Sequence, residues 1–365
     1  MAMDKARLQR IYDKMQEKGL DQMIITDPMP IFYLTGKWIL PGERMHAMYL
    51  NVNGDNHFVI NKLFPQNEDL GIEITYYDDI EDGVEYLAKY VDKNKTLGVD
   101  KDWPARFLLR LQELKGAKDY VNGSAIVDKV RQIKDKNEYK LMKESAEKID
   151  EVVGKLIPWV AKGLTEKELN AKCLELLKEV GFSGPSFDPI TAYAKGAADP
   201  HHITDDSKGK HGDCVILDIG GMWQNYASDT TRTVFIGEVS DRQREIYNIV
   251  LEANKRGIAA AKPGNKMSDV DKAGRDYIES KGFGEYFTHR IGHSIGLQDH
   301  EVGDVSLAND EIIEPGQCFS VEPGIYIYDE GIGVRIEDIV YITEDGCEVL
   351  NNYPKDEIIV VPEEK

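Results

Sequence analysis

The chain has 365 residues, of which 41% are hydrophobic, and this length predicts two domains, each with a core of its own. Asp and Glu number 65 against 45 Lys and Arg, and the resulting net charge of −20 disfavours a nucleic-acid partner because it repels phosphate backbones. Widely spaced cysteines without a Cys-x-x-Cys pattern, a start without an apolar signal core and no run of about 20 apolar residues predict a cytoplasmic protein that does not enter a membrane.

Short alternating elements are predicted in the first third of the chain. Apolar residues at helical spacing from Leu8 to Met15 predict a helix that ends at Gly19. Strands are predicted at 23–26, 58–60, 72–77 and 96–99, and helices near 80–93 and 104–115. This alternation predicts a small α/β domain over residues 1–125, followed by a second domain over residues 126–365.

Two pairs of long helices are predicted in the second domain, at 135–158, 165–181, 244–261 and 268–282. Thr165 begins a capping box at the second helix, and Ser268 is predicted to cap the fourth. Each pair of helices precedes strands that carry two carboxylates. The pattern therefore suggests two related halves that donate acidic side chains to one central cleft.

The first carboxylate pair, Asp218 and Asp229, lies in a predicted β-hairpin. An apolar run from Val215 leads to Asp218, Gly220 breaks it, and a second alternating run contains Asp229. Paired strands bring side chains to about 5 Å of one another, so both carboxylates can share one face. An Asp pair near a turn is more often turn chemistry, but Asp218 closes an apolar run where an unpaired charge is costly.

Three further groups complete a candidate ligand set. His293 directly follows Gly292 and lies three residues before Gly296 in a histidine-rich segment. Glu322 and Glu337 each follow apolar residues that are typical of a strand. Acidic side chains are rarely buried unless they are paired or bind a metal. Four carboxylates and one imidazole form an oxygen-rich set that can hold two divalent cations, and two adjacent cations can drive hydrolysis.

These residues belong to ordered motifs, namely Pro200-His201-His202, Asp218 with Ser228-Asp229-Thr230-Thr231-Arg232-Thr233, Gly292-His293, His300-Glu301, Val321-Glu322-Pro323-Gly324 and Gly333-Val334-Arg335-Ile336-Glu337-Asp338. With Phe32-Tyr33-Leu34-Thr35-Gly36 near the start, the set resembles the pita-bread metallopeptidases, in particular the Xaa-Pro dipeptidase (prolidase) and Xaa-Pro aminopeptidase branch. The resemblance implies an α+β fold: a carboxy-terminal pita-bread domain with a curved antiparallel sheet, outer helices and a pseudo-twofold axis, plus a smaller amino-terminal α/β creatinase-like domain.

The resemblance implies a dinuclear-metal exopeptidase that removes the residue before proline at the amino end of small peptides. The expected enzyme is an Xaa-Pro dipeptidase, with an Xaa-Pro aminopeptidase acting on longer peptides as the alternative. Mn²⁺ is the expected metal because carboxylates dominate, with Co²⁺, Fe²⁺ or Zn²⁺ as alternatives. A homodimer is also implied.

The resemblance assigns a role to each site residue. The metal ligands are Asp218, Asp229, His293, Glu322 and Glu337. Glu322 is also expected to hold the proton that passes to the departing nitrogen, and His201 and His300 to donate hydrogen bonds during catalysis. His289 and Arg335 are expected to bind substrate, although a salt bridge from Arg335 that orients a metal-binding carboxylate fits equally well.

Two departures and three alternatives remain open at this stage. Many relatives have Gly-His-Gly where this chain has Ser294 after His293, and Gly196 replaces an Asn that is common before the Pro-His loop. The fold also hosts a creatinase-like, metal-free C–N hydrolase and non-catalytic binding modules. A purely structural cation site is the third alternative.

Overall fold

The computed structural model describes residues 3–200 and 202–363. Its contacts divide the chain into two compact units, the first ending at Arg131 and the second beginning at Gln132. The predicted two-domain architecture is therefore confirmed, while the boundary after residue 125 stays a prediction. None of the helices in the described ranges is long and apolar enough to span a bilayer.

The first unit is built on a mixed β-sheet with helices. Its helices are α1 (Lys5–Glu17), α2 (Pro28–Thr35), α3 (Gly83–Leu87), α4 (Ala105–Glu113) and α5 (Ser124–Gln132), which reaches the division between the units. Its strands are β1 (Gln22–Ile25), β2 (Ala47–Asn51), β3 (His57–Asn61), β4 (Glu73–Tyr77), β5 (Thr96–Val99) and β6 (Asp119–Asn122). The strand order is β4-β3-β2-β1-β5-β6, with β2 antiparallel to both of its neighbours and the other pairs parallel.

The predicted α/β class of this unit is confirmed, but five elements differ from the sequence-based expectation. The strands β2 and β6 and the helices α2 and α5 are not predicted from the sequence, and the helix predicted near 80–93 is limited to α3. After α3 the chain forms turns, and the Asp92 amide donates to the side chain of Gln22 at 2.8 Å instead of continuing a helix. A long-range side-chain acceptor of this kind leaves no local signal in the sequence.

The second unit repeats an order of two helices followed by strands. Its helices are α6 (Lys136–Leu156), α7 (Glu166–Val180), α8 (Asp241–Ala260) and α9 (Met267–Ser280). Its strands are β7 (Ile190–Tyr193), β8 (Cys214–Ile219), β9 (Met222–Trp223), β10 (Tyr226–Ala227), β11 (Thr230–Ile236), β12 (Gly292–Ser294), β13 (Glu301–Val305), β14 (Cys318–Val321), β15 (Gly324–Ile327), β16 (Ile332–Arg335), β17 (Asp338–Ile342), β18 (Cys347–Val349) and β19 (Ile359–Val361).

Helix caps in the second unit explain where its helices begin. Thr165 forms a capping box at α7, as the sequence predicts, and Asp135 forms one at the predicted start of α6. Ser240 caps α8, which begins at Asp241, three residues before the predicted start at 244. The prediction that Ser268 caps α9 is wrong. The helix begins one residue earlier, after Lys266, whose amide is held by the side chain of Asp269 at 2.8 Å.

Two sheets of the second unit carry the strands that matter for function. One has the order β19-β11-β8-β7 and the other β13-β12-β14-β17-β18, and β15 pairs with β16 as a hairpin. One buried apolar cluster contains residues of α8, α9, β14 and β16, and a second packs α6 and α7 against β8 and β11. The helices thus fix the positions of the strand ends.

Candidate metal centre

The predicted hairpin positions Asp218 and Asp229. Strand β8 is buried throughout and pairs antiparallel with β11, which sets Asp218 opposite Thr231. Asp229 lies immediately before β11, and only 5% of its surface is exposed. The hairpin therefore brings both carboxylates to the same end of one strand pair, as expected from the sequence.

The other three groups come from strands that follow α9. His293 is the middle residue of β12, and its amide donates to the Ser320 hydroxyl at 3.0 Å. Glu322 directly follows β14, and Glu337 lies between β16 and β17, where its amide donates to the Thr231 carbonyl at 3.1 Å. That last bond ties the second group of strands to the hairpin of Asp218.

All five predicted ligands line one cavity of 420 Å³, together with His289, Arg335 and His300. The His293 Nε2 atom lies 3.5 Å from an oxygen of Asp229 and 3.5 Å from an oxygen of Glu322. One ligand atom each from Asp229, His293 and Glu337 lies within 4.8 Å of the others. Groups that are far apart in the sequence thus come close enough for their ligand atoms to surround a common cation.

Burial and mutual repulsion shift the pKa values of these groups. Burial raises the pKa of Asp229 and of Glu337 well above the usual carboxyl range, and neighbouring carboxylates raise both further. Burial also raises the pKa of Glu322 to about 8, although Arg335 opposes the shift. The pKa of His293 is lowered to about 3, first by burial and then by His300, so its imidazole is neutral and can act as a ligand.

Unpartnered oxygens show what the cavity fits. Asp218 Oδ1, Asp229 Oδ1 and Glu337 Oε1 are buried without a hydrogen-bond partner among the described residues. Buried polar atoms normally have partners, and crowded carboxylates repel one another unless cations lie between them. An oxygen-rich donor set with one neutral imidazole suits divalent transition metals. The residues present therefore fit a two-metal centre.

Arg335 is held by the site instead of projecting freely into it. Its guanidinium forms an ion pair with Asp218, donates to the Tyr326 hydroxyl at 2.8 Å and donates to the Thr231 hydroxyl at 3.2 Å. The same Tyr326 hydroxyl lies 2.9 Å from His289 Nε2. Thr231 in turn donates to Glu337 at 2.8 Å. This network fixes the orientation of two carboxylates and of His289.

A second arginine, Arg232, bonds to the main chain at Glu337. Arg232 is 1% exposed and donates to the carbonyl oxygens of Glu337 at 2.6 Å and of Tyr353 at 2.8 Å. It also pairs with Asp338 at 2.8 Å, and Lys355 bonds to the same carboxylate. These contacts join β11, the turn at Glu337 and the segment after β18.

The buried carboxylate of Glu166 contacts His202 in the Pro-His loop. The Glu166 side chain is fully buried, lies 2.6 Å from His202 Nε2 and accepts from the Tyr193 amide at 2.9 Å. A methyl group at Gly196 would come within 2.8 Å of both Glu166 and His202. The glycine therefore leaves room for this contact. His201 lies outside the described residues, while Pro200 lines the cavity.

The serine after His293 also has a structural contact. Its hydroxyl donates to the Gly303 carbonyl at 3.0 Å, beside the register shift between β12 and β13. Ser294 is 2% exposed and thus points away from solvent into the sheet contact. Ser294 in place of the glycine of the Gly-His-Gly motif therefore leaves the candidate ligands unchanged.

Sequence reasoning missed Asp299, which lines the cavity, and Tyr326, which bonds to the cavity residues Arg335 and His289. Asp299 lines the cavity beside His300, and burial raises its pKa to about 7. Tyr326 is 6% exposed in β15, where an aromatic residue in an apolar strand looks like ordinary core. The sequence did contain a clue to Asp299. This residue closely follows the apolar segment 295–297 and directly precedes His300, which was predicted to act in catalysis.

Comparison with known proteins agrees with this fold. The profile of metallopeptidase family M24 matches residues 140–344, and the creatinase/prolidase N-terminal domain matches residues 7–133. A putative dipeptidase of Bacillus subtilis is 35% identical over 97% of this chain and 99% of its own length. An Xaa-Pro dipeptidase of Pyrococcus furiosus is 33% identical over 95% of this chain and 97% of its own length.

A solved prolidase from Pyrococcus horikoshii superimposes with a TM-score of 0.88 at 30% identity, covering 96% of this chain and 99% of that one. The two-unit architecture and its carboxylate cluster thus define a peptidase of the pita-bread class. The chain belongs to metallopeptidase family M24, with a creatinase/prolidase domain at its amino end.

Proposed function

We propose that this protein is an Xaa-Pro dipeptidase that uses two divalent metal ions. The convergence of Asp218, Asp229, His293, Glu322 and Glu337 on one cavity is the observation that carries the proposal. Relatives named Xaa-Pro dipeptidase or prolidase align over nearly the whole chain, which supports the substrate class. The substrates are then short peptides in which proline is the second residue.

The five ligands divide between two cation sites. Asp218, Asp229, His293, Glu322 and Glu337 would together hold the two cations. The 3.5 Å separations around His293 Nε2 support its pairing with Asp229 and Glu322. When bound there, the cations would supply Lewis-acid chemistry, which polarises a carbonyl and lowers the pKa of water toward neutrality.

Side chains of this chain move and hold the protons. Glu322 takes a proton from the attacking water and passes it to the proline nitrogen as the bond to that nitrogen breaks. His300, whose side chain is 62% exposed, donates a hydrogen bond to the developing oxyanion. His201 is assigned the same kind of donor role from its motif.

Arg335 acts mainly by orienting Asp218, because its guanidinium is already bound there and to Tyr326. His289 is held against Tyr326 at the cavity wall and is assigned to the substrate. Phe187, Ile190 and Pro200 give the cavity an apolar side against which a proline ring can pack. An imide bond has no N–H, so binding depends on such shape contacts more than on backbone pairing.

Three finer assignments accompany this function. Mn²⁺ is the proposed metal because carboxylate ligands dominate the set. A homodimer and a cytoplasmic location are also proposed, the first from the family resemblance and the second from the four free cysteines, which are typical of a reducing compartment. Metal analysis of the purified protein, light scattering and cell fractionation test the three assignments separately.

Substrate length decides between the two related activities. With Mn²⁺ bound, cleavage of Leu-Pro should exceed cleavage of Leu-Pro-Gly, since the proposed enzyme is a dipeptidase. The reverse ranking would identify an Xaa-Pro aminopeptidase, which the alternative from the sequence allows. Chelation should abolish both activities and Mn²⁺ should restore them. An undiminished rate after complete metal removal would contradict the dinuclear proposal.

A further inference from the structure

Asp299 is a cavity carboxylate that the proposed metal set does not use. It lies between β12 and β13, next to His300, and its side chain is 14% exposed. Its Oδ1 atom is buried and has no hydrogen-bond partner in the described ranges. One of its oxygens lies within 4.8 Å of ligand atoms on His293 and on His300. The carboxylate is therefore positioned at the edge of the metal cluster and faces the same cavity.

The charges around Asp299 are otherwise matched. Two divalent cations balance the four carboxylates of the proposed ligand set. The cavity arginines are also engaged elsewhere, because Arg335 pairs with Asp218 and Arg290 pairs with Asp304. Of the acidic residues that line the cavity, Asp299 is the one that belongs to no proposed cation site and has no arginine bonded to it. A carboxylate that is largely removed from water needs a positive partner to remain charged.

We propose that Asp299 is a substrate-binding residue that accepts an ammonium group of the peptide. The inference rests on the proposed function, because it assumes that the other four carboxylates bind cations. A peptide with an unblocked amino end always carries one ammonium group there, and a first residue of lysine carries a second on its side chain. Both groups present N–H donors to a carboxylate, and a charge-assisted bond of this kind is strong at a site that excludes water.

Small amides that lack an Xaa-Pro bond test the proposal without turnover. Leucinamide carries the α-ammonium group, 4-methylpentanamide is the same molecule without it, and lysinamide adds a side-chain ammonium group. Their affinities for the Mn²⁺-loaded protein are measured by calorimetry in the wild type and in Asp299→Asn. The amide variant keeps the shape of the side chain but removes its charge.

The expected result is at least a tenfold loss of leucinamide affinity in Asp299→Asn, with 4-methylpentanamide binding unchanged, which assigns the α-ammonium group. A loss for lysinamide alone assigns the side-chain group instead. Unchanged affinities for both amines would overturn the proposal. Asp299→Glu keeps the charge and should retain the preference for amines over 4-methylpentanamide.

Two controls separate this role from others. Asp310→Asn removes an exposed carboxylate that is not part of the cavity lining and should bind all three amides like the wild type. The metal content of Asp299→Asn should equal that of the wild type, and a lower content would identify Asp299 as a metal ligand and overturn the proposal. Failure of the wild type to cleave Leu-Pro, with the amine preference intact, would contradict the proposed peptidase activity alone.

Discussion

At the residue scale, the buried carboxyl group of Asp229 is expected to destabilise the metal-free fold although it is needed for metal binding. Its carboxyl group is buried among other carboxylates that raise its pKa, and its Oδ1 atom has no partner among the described residues. Asp229→Asn should therefore increase the free energy of unfolding of the metal-free protein at pH 8 by about 1–2 kcal/mol. The same change should lower the metal content and reduce kcat/KM at least about a hundredfold.

Urea denaturation and elemental analysis check both parts of this prediction, with Asp310→Asn as an exposed Asp-to-Asn control. If Asp229→Asn instead destabilises the metal-free fold and leaves the activity of the folded fraction intact, the site is a structural cation site.

Glu322 and Asp299 predict how the stability of the metal-free protein depends on pH. The pKa of Glu322 is raised by burial from 4.5 to about 8, and that of Asp299 from 3.8 to about 7. The folded state therefore binds more protons than the unfolded state between these limits. The associated stability is fully present below about pH 4 and is lost as the pH rises to about 8, a change on the order of a few kcal/mol.

Denaturation of the chelated protein between pH 5 and pH 8.5 measures this slope. Glu322→Gln should flatten the slope because the amide does not titrate, and saturating Mn²⁺ should remove most of it because the cations neutralise the carboxylates. A metal-free protein that gains stability from pH 5 to pH 8.5 would contradict the assignment.

At the scale of elements, the loop between β7 and β8 depends on the contact of Glu166 with His202. Gly196→Ala would force a methyl group to within 2.8 Å of both side chains. The variant should lose about 1–3 kcal/mol of stability. Its KM for Leu-Pro should also rise, because the loop carries Pro200 at the cavity wall.

Gly184→Ala is the matched control, since a methyl group there meets no atom within 4 Å. It should leave the stability and the KM nearly unchanged. Equal KM values for Gly196→Ala and the wild type would show that the loop does not position the cavity wall.

The elements that could be predicted from the sequence are those with local signals. The capping residues Asp135 and Thr165 mark α6 and α7, and the hairpin of Asp218 follows from an apolar run broken by glycine. Strand β12 has only three residues, so its position depends on pairing with β13 and β14. Short strands whose partners are distant in sequence leave no periodicity to read.

At the scale of the whole molecule, metal binding should stabilise one compact unit. All proposed ligands belong to the second unit, so ligand binding adds free energy to its folded state, about 2.7 kcal/mol at a hundredfold excess over Kd. Hydrogen exchange should slow in peptides from 214–236 and 318–337 after Mn²⁺ is added to the chelated protein. Peptides from 22–61 serve as the internal control and should be unchanged, and equal protection in both units would contradict this expectation.

The sequence predicts that the five candidate ligands meet in one cavity, and the structure places them there. The sequence does not predict which other polar side chains contact them. The candidate ligands were predicted from charged groups that end apolar runs, where burial is costly for a charge, and from the family resemblance of their motifs. The contacts of Arg335 with Asp218 and Tyr326, and the position of Asp299, depend on how strands from both halves of the second unit meet. Only the folded chain specifies which of several nearby polar groups become neighbours.

The bonds of Arg232 have a consequence for synthesis on the ribosome. This side chain joins the turn at Glu337 to the Tyr353 carbonyl, and Lys355 closes the same network through Asp338. A nascent chain that has emerged only as far as β17 carries every proposed ligand but lacks these last acceptors and donors. The turn at Glu337 is therefore expected to take its final position only after residues 353–355 have been synthesised.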